Sequence, residues 1–286
     1  MTDQPARKII AAVTAYHPSR RLVDSIRSYM SAVDEILIWQ NSTLDAGLQD
    51  EIRALAGDRV MFLGTSRNVG VAEALNRCAD AAERLGAAFL LTMDQDSVFT
   101  GVSAHKLIEE SVRWHSRSIN SPMHCLERCG PPLQRHSADR WVMTSGNLFA
   151  MASYRSIGPF VAEYFIDGID MEWCLRARSK GFEILVHRNS ILMHQLGNAT
   201  IHRFLFAKTL CATNHPPFRY YYIFRNYLDI ALRQTYVSLG DRMAVLKVLL
   251  QVLIAITMFE SERWQKMACA ARGTLDFLRG RTGASG

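Results

Sequence analysis

Apolar residues in the first hundred positions come in unbroken blocks separated by stretches of helical period. Residues 8–16, "KIIAAVTAY", form a block closed by His17-Pro18, as expected of a strand covered on both faces. In "LVDSIRSYMSAV", Leu22, Ile26, Tyr29, Met30 and Val33 fall on one helical face. "EILIWQNS" predicts a second buried strand, residues 48–56 a short helix and "RVMFLGT" a third strand. "GVAEALNRCADAAERLG" predicts a helix of about four turns, and "AFLLTMDQD" the fourth strand. Strand and helix alternate, which predicts an α/β fold: a mostly parallel sheet flanked by helices.

Ligands of such sheets bind beyond the C-terminal strand ends. Here those ends read Thr14-Ala15-Tyr16, Gln40-Asn41-Ser42, Arg67-Asn68 and Asp94-Gln95-Asp96. All are polar, so the site is expected along that edge. A helix near 103–117 follows, then residues 118–140, "SINSPMHCLERCGPPLQRHSADR", which show no period and read as a long loop beside the site. "WVMTSGNLFAM" reads as a strand pair around a Ser-Gly turn. "SYRSIGPF" and "IDMEWCLRARSKGF" read as helical pieces, and "EILVHRNSILMH" as a strand.

The pattern changes at Pro216, so residues 1–215 are expected to form the α/β domain and 216–286 a helical extension. The extension holds ten basic and five acidic residues, a net of +5 within the chain's formal +6. "RYYYIFRNYLDIALRQTY" predicts an aromatic- and arginine-rich helix. Residues 243–259, "MAVLKVLLQVLIAITMF", are apolar except for Lys247, Gln251 and Thr257. That is short for a bilayer span and carries a polar stripe, so it suits a membrane interface or a partner subunit. The basic residues interleave with hydrophobic ones and no recognition motif accompanies them, which argues against nucleic-acid binding. The six cysteines show no C-x-x-C pair, and the apolar run before Pro18 is too short for a signal peptide; both point to a reducing cytosol.

Asp94 and Asp96 share one side of their strand. Two ionised carboxylates held together need a cation, and Mg²⁺ or Mn²⁺ bind carboxylate oxygens while bridging to phosphates. A second acidic group, Asp167, Asp170 and Glu172, lies at a helix start with Arg176 beyond it. A carboxylate there can act as general base or simply complement the helix N-terminus. His194 ends its strand, where it is a core residue or a metal ligand. His124, Cys125, Cys129 and His136 fit no standard zinc spacing.

Taken in order, "VTAY" (13–16), "WQNS" (39–42), "SRNVGVAEALNRC" (66–78), "LLTMDQDS" (90–97), "SGNLFAM" (145–151), "YFIDGIDMEWCLRARSKGF" (164–182), "MHQLG" (193–197) and "RYYYIFRN" (219–226) resemble a known family. It is the inverting family-2 glycosyltransferases of GT-A fold, particularly the bacterial rhamnosyltransferase-like branch that builds O-antigen and related surface polysaccharides. The resemblance implies a Rossmann-like GT-A domain that moves a sugar, L-rhamnose from dTDP-L-rhamnose above others, onto a hydroxyl of a lipid-linked or cell-surface glycan. A galactofuranosyl or other hexosyl transferase and a non-catalytic nucleotide-sugar-binding membrane adaptor are the alternatives.

By the same resemblance Asp94 and Asp96, with His194, hold Mg²⁺ or Mn²⁺ and through it the diphosphate of a dTDP- or UDP-sugar. Asp170 is the general base, and Glu172 a nearby acid that positions acceptor or base. Thr14, Tyr16, Asn41 and Asn68 frame the nucleotide, Tyr16 stacking on the base and Asn41 accepting its imide N–H. Arginine grips phosphate oxygens bidentately, so Arg219 or Arg225 is also expected to reach the leaving diphosphate. Lipid-linked acceptors would put the chain on the cytoplasmic face of the inner membrane through residues 243–259, with a second copy of the chain the other candidate partner. The second strand of the family usually ends Asp-Asn-x-Ser, whereas this chain has Gln40-Asn41-Ser42-Thr43, a departure that touches base recognition. A phosphohydrolase using the D-x-D as nucleophile and acid is disfavoured, because that pair would follow the first strand.

Overall fold

The computed structural model describes residues 7–113, 117–126, 140–194, 200–204 and 208–285. Strands β1 (Ile9–Ala15), β2 (Glu35–Gln40), β3 (Val60–Leu63) and β4 (Phe89–Asp94) alternate with helices α1 (Arg21–Tyr29), α2 (Ala46–Ala56) and α3 (Val71–Arg84). Then come β5 (Val98–Phe99), α4 (Ser103–Arg113), β6 (Ser118–Leu126), β7 (Asn147–Ala150), α5 (Met151–Ile157), α6 (Ile169–Ser179) and β8 (Glu183–His194). A hairpin, β9 (Thr200–Phe204) and β10 (Lys208–Ala212), leads into α7 (Pro217–Leu232), α8 (Leu239–Met258) and α9 (Arg263–Leu278). The main sheet runs β3-β2-β1-β4-β7-β6-β8-β5. Its first four strands are parallel, β7 is antiparallel to β4 and β6, and β8 is parallel to β6.

The unbroken apolar runs are explained by helices on both faces. Ile10, Ala12, Leu37 and Leu90 point to one side and pack with Leu75 and Cys78 of α3 and Trp173 of α6. Ile9, Ala11, Val13, Ile36, Ile38 and Leu91 point to the other and pack with Leu22, Ile26 and Tyr29 of α1 and Leu107 of α4. The C-terminal helices are not walled off from this core. Ile230, Ala231, Val237 and Val245 join the first cluster, so the regions either side of Pro216 share packing.

Two sequence expectations are corrected. Residues 118–126 are an internal strand rather than the start of a loop. Its buried polar side chains hide it from a hydrophobic pattern but are hydrogen-bonded: the Asn120 amide donates to the Leu148 carbonyl and lies 2.9 Å from His187 Nε2, and His124 Nε2 lies 2.7 Å from the Ser145 carbonyl. The remainder of that expected loop, with Cys129 and His136, lies outside the described residues, as do residues 195–197 of the histidine motif. The stretch 141–151 supplies one strand, β7, rather than a pair. At its start Gly146 has φ +81°, and a Cβ there would lie 2.6 Å from the Pro122 ring, so the turn requires glycine.

Among the described residues no helix is long and apolar enough to cross a membrane. Helix α8 covers most of 243–259, and its Leu249 and Ile256 pack with Tyr220 and Ile223 of α7, while Met243, Lys247, Leu250 and Met258 remain exposed.

Candidate functional site

Beyond the C-terminal ends of β1, β2 and β4 lies a cavity of about 690 Å³. Thr14, Tyr16, Asn41, Asp94, Gln95 and Asp96 line one wall. The 166–171 segment and residues of the C-terminal third, including His215, Arg219, Tyr227 and Gln251, make up a second wall.

Asp94 ends β4, and its backbone N–H donates to Ser145 Oγ at 3.0 Å, which ties the acidic motif to the Ser-Gly turn before β7. The middle residue of the motif is a staple: the Gln95 amide accepts from the Tyr16 N–H at 2.8 Å and donates to the Tyr16 carbonyl at 3.1 Å. Asp94 and Asp96 are thereby directed outward, and His194 reaches them from the end of β8. One donor atom from each of the three lies within 4.8 Å of the others. His194 Nδ1 stands 3.8 Å from Asp94 Oδ2 and 2.8 Å from the buried Ser97 Oγ, which fixes the ring. Two carboxylates and an imidazole at this spacing need only small adjustment to surround one ion with ligand distances of about 2.1 Å. Burial and the charge of Asp96 push the Asp94 carboxyl upward against the pull of His194 and Arg219. A cation would relieve that cost.

Asp170 lies in the first turn of α6, half-buried in the cavity wall, with Oδ1 accepting from the Met171 N–H at 2.8 Å. Burial pushes it up to about 6, with the charges of Asp167 and Asp94 adding to the effect. It is therefore a carboxylate near the proton affinity that general-base catalysis at neutral pH asks for. Arg219 enters from α7, its Nε donating to Asp167 Oδ2 at 3.0 Å and its Nη2 to Asp167 Oδ1, with Nη1 3.1 Å from His215 Nδ1. Burial and the adjacent guanidinium drive the His215 imidazole down to about 4, so it is neutral at pH 7.

No protein-family model matches the chain. It is 24% identical, over an alignment 298 positions long, to the dTDP-rhamnosyl transferase RfbF of Shigella flexneri, covering 96% of this chain and 97% of that protein. Among solved structures it is similar to TarS of S. aureus, with a TM-score of 0.59, 11% identity and 95% of this chain covered. It spans only 49% of the TarS chain. It is also similar to the mannosyltransferase PcManGT from Pyrobaculum calidifontis, solved with GDP-Man and Mn²⁺, with a TM-score of 0.58, 11% identity, and 96% and 88% of the two chains covered. The chain has the GT-A glycosyltransferase fold.

Within this GT-A frame the residues singled out from the sequence divide. Thr14, Tyr16, Asn41, Asp94, Asp96, Asp170 and His194 all line the cavity. Tyr16 is half exposed at its rim, where its ring is open to stacking. Asn41 is buried, its amide accepting from the Val69 N–H and donating to the Gly70 carbonyl, so it shapes the wall. Asn68 is exposed away from the lining, and its side chain accepts from the Gly70 N–H at 3.0 Å.

Two expected roles are corrected by the geometry. Glu172 is 1% exposed and forms a two-pronged pair with Arg176 at 2.7 and 2.9 Å, with Tyr236 donating to it as well. Residues two apart on a helix point about 200° away from each other, so Asp170 and Glu172 face cavity and core respectively. Arg225 is 3% exposed and donates to the Glu163 and Gly283 carbonyls, so Arg219 is the α7 arginine at the cavity. Asp167 belongs to the site as Arg219's partner; its place in the same acidic group as Asp170 was the signal available in the sequence.

Proposed function

We propose that the chain is a glycosyltransferase that moves a sugar from a nucleoside diphosphate donor onto a hydroxyl of a lipid-linked or cell-surface glycan, inverting the anomeric centre. The observation that carries this reading is the convergence on one cavity of Asp94, Asp96 and His194, whose donor atoms lie within 4.8 Å of one another, together with Asp170. L-rhamnose from dTDP-L-rhamnose is the favoured donor, supported by the likeness to RfbF along nearly the full length of both chains.

In this mechanism Tyr16 and Thr14 border the nucleoside, and the diphosphate lies against Asp94, Asp96 and His194. A divalent cation, Mg²⁺ or Mn²⁺, held by those three side chains would neutralise charge growing on the leaving diphosphate. Asp170 takes the proton of the acceptor hydroxyl as that oxygen bonds to the anomeric carbon. The bond from this carbon to the diphosphate oxygen breaks on the opposite face, and a single displacement inverts the configuration. Arg219 adds a fixed positive charge near Asp94, held in place by Asp167.

A membrane-borne acceptor is supported by features of the C-terminal third. Helix α9 presents Trp264, Ala268, Ala271, Leu275 and Leu278 to solvent at a 4-3-4-3 spacing, with exposed Arg272 and Arg279 beside them. An apolar stripe with a basic margin, within a region of net charge +5, suits an anionic lipid surface. It supports a peripheral position on the cytoplasmic face of the inner membrane as part of the proposal.

The test is product formation across dTDP-L-rhamnose, UDP-galactofuranose, UDP-glucose and GDP-mannose with a membrane glycolipid extract, with and without Mn²⁺. Metal-dependent transfer from one donor with inverted anomeric configuration, abolished in Asp96→Ala, is expected. No turnover of any donor by folded protein would overturn the reading.

A further inference from the structure

We infer that Arg225 and Asn226, adjacent on α7 and outside the cavity, are positioning residues that hold the base-bearing segment 163–170 in its working shape. The inference rests on the role of Asp170 proposed above.

The segment is strained. Phe165 has φ +64° and Asp167 φ +63°, and both carry a Cβ in the left-handed region, followed by Gly168 at +80°. Such a turn persists only where its surroundings over-determine it. Here the carbonyls of Glu163, Tyr164, Ile166 and Asp167 are all taken by two neighbouring side chains. The Asn226 amide nitrogen lies 3.0 Å from the Tyr164 carbonyl, 2.9 Å from that of Ile166 and 2.7 Å from that of Asp167, so its two N–H groups are shared among three acceptors. Arg225 Nη2 donates to Glu163 at 2.8 Å and Tyr164 at 3.3 Å. Arg225 Nε also donates to Asn226 Oδ1 at 2.9 Å, which dictates which end of the Asn226 amide faces the turn. Both side chains are nearly or fully buried, so water does not compete.

The clamp is anchored on each side. Arg225 lies over the rings of Tyr221 and Tyr222 and donates to the Gly283 carbonyl at 2.5 Å, whose own N–H donates to the Glu163 carbonyl. Phe165 stacks on Tyr222, and its carbonyl accepts from the Val71 N–H at 2.7 Å, at the start of α3. Gly168 has its missing Cβ position 3.3 Å from Asn226 Cβ and from the Tyr227 ring, so α7 lies directly against the turn. Asp167 and Asp170, on either side of Gly168, are the two carboxylates this segment contributes to the cavity.

Neither Arg225 nor Asn226 lines the cavity, and the turn they hold leads directly into the residue proposed as base, so their loss is expected to act on the transfer step more than on donor binding. Asn226→Asp keeps the shape but turns a donor into an acceptor facing three carbonyls. We expect kcat to fall about a hundredfold, as misplacing a catalytic group by an ångström does, with donor affinity within about threefold of wild type. Arg225→Lys, which keeps a charge but loses the Nε–H that orients the amide, is expected to fall in between. The decisive arm is the double variant Asp170→Asn/Asn226→Asp, assayed for residual turnover. If Asn226 acts through Asp170, the second change costs little once the first is made. An equal hundredfold loss in both backgrounds, or parallel loss of donor affinity and kcat, would overturn the inference and leave a structural role. Absence of turnover in the wild-type chain would instead overturn the transferase reading, and this inference with it.

Discussion

The two walls of the cavity are built on different principles. On the first wall the reactive side chains come straight off strand ends, and each is set by one or two local contacts: Ser145 under Asp94, Gln95 stapling Tyr16, Ser97 beside His194. The second wall has no such scaffold. Asp167 sits in a left-handed turn and Asp170 in the first turn of α6 immediately after it, and that turn is shaped by side chains of α7, more than fifty residues further on. A sheet edge fixes a binding surface cheaply because its backbone hydrogen bonds are already made in the ladder. An irregular turn leaves its carbonyls unpaired, and buried side chains such as Asn226 must then satisfy them. On the proposed roles, binding chemistry sits on rigid strands, while the proton-transfer group sits where its geometry depends on remote packing.

The comparison is broken most severely by exchanging the carboxylates themselves. Asp170→Asn is expected to lower kcat by about 10³-fold while donor affinity is retained, since a general base contributes on the order of 10²–10⁴ in rate. Single-turnover kinetics beside calorimetric titration of the donor separates the two effects. A comparable loss of donor affinity would place Asp170 on the binding wall instead.

Glu172→Gln probes the neighbouring acid that faces the core. Breaking its buried pair with Arg176 leaves a charge unmatched, which costs about 3–5 kcal/mol. A clear fall in thermal midpoint is therefore expected, with kcat of the remaining folded protein within a few-fold of wild type. Folded protein with a catalytic defect as deep as that of Asp170→Asn would reverse the assignment.

Acidity sharpens the same contrast. With Asp170 raised to about 6, the base is protonated below that pH and ionised above it, so kcat should fall about tenfold per pH unit on the acid side. A bound cation compensates the Asp94 charge and should move this limb to lower pH. For stability the sign is opposite. A carboxyl raised from 3.8 favours the protonated folded state, so its contribution is full below pH 3.8 and is lost as pH rises through about 6. A pH–rate profile with no acid limb at any pH where the chain stays folded would contradict the base assignment.

The smallest effect is expected at the cavity rim. Tyr16→Ala removes a half-exposed ring, and loss of one stacking contact, worth about 1–3 kcal/mol, should weaken donor binding roughly ten- to a hundredfold at unchanged kcat. Its measurement is the KM for donor.

The same division governs what the sequence disclosed. Strand ends are legible because a buried run that stops at polar residues can only stop at a sheet edge. Thr14, Asn41, Asp94 and Asp96 were located that way, and all line the cavity. Glu172 and Arg225 misled because they stand beside functional positions in the chain but on the other side of their helices. Strand β6 was hidden by buried Asn120 and His124, whose satisfaction depends on partners from distant strands. The clamp on the 163–170 segment was beyond reach for the same reason: Asn226 is one polar residue in an aromatic helix until the turn it holds is seen.

The roles of Asp94, Asp96 and His194 are tested by calorimetric titration of dTDP-L-rhamnose and of UDP into the wild-type chain and into Asp96→Ala, each with and without Mn²⁺. Nucleotide binding that requires Mn²⁺ in the wild type and is lost in the variant is the predicted result. Binding of equal strength with and without the metal, or unchanged in the variant, would contradict the account of Asp94, Asp96 and His194 as the ligands that join a divalent cation to a nucleoside diphosphate.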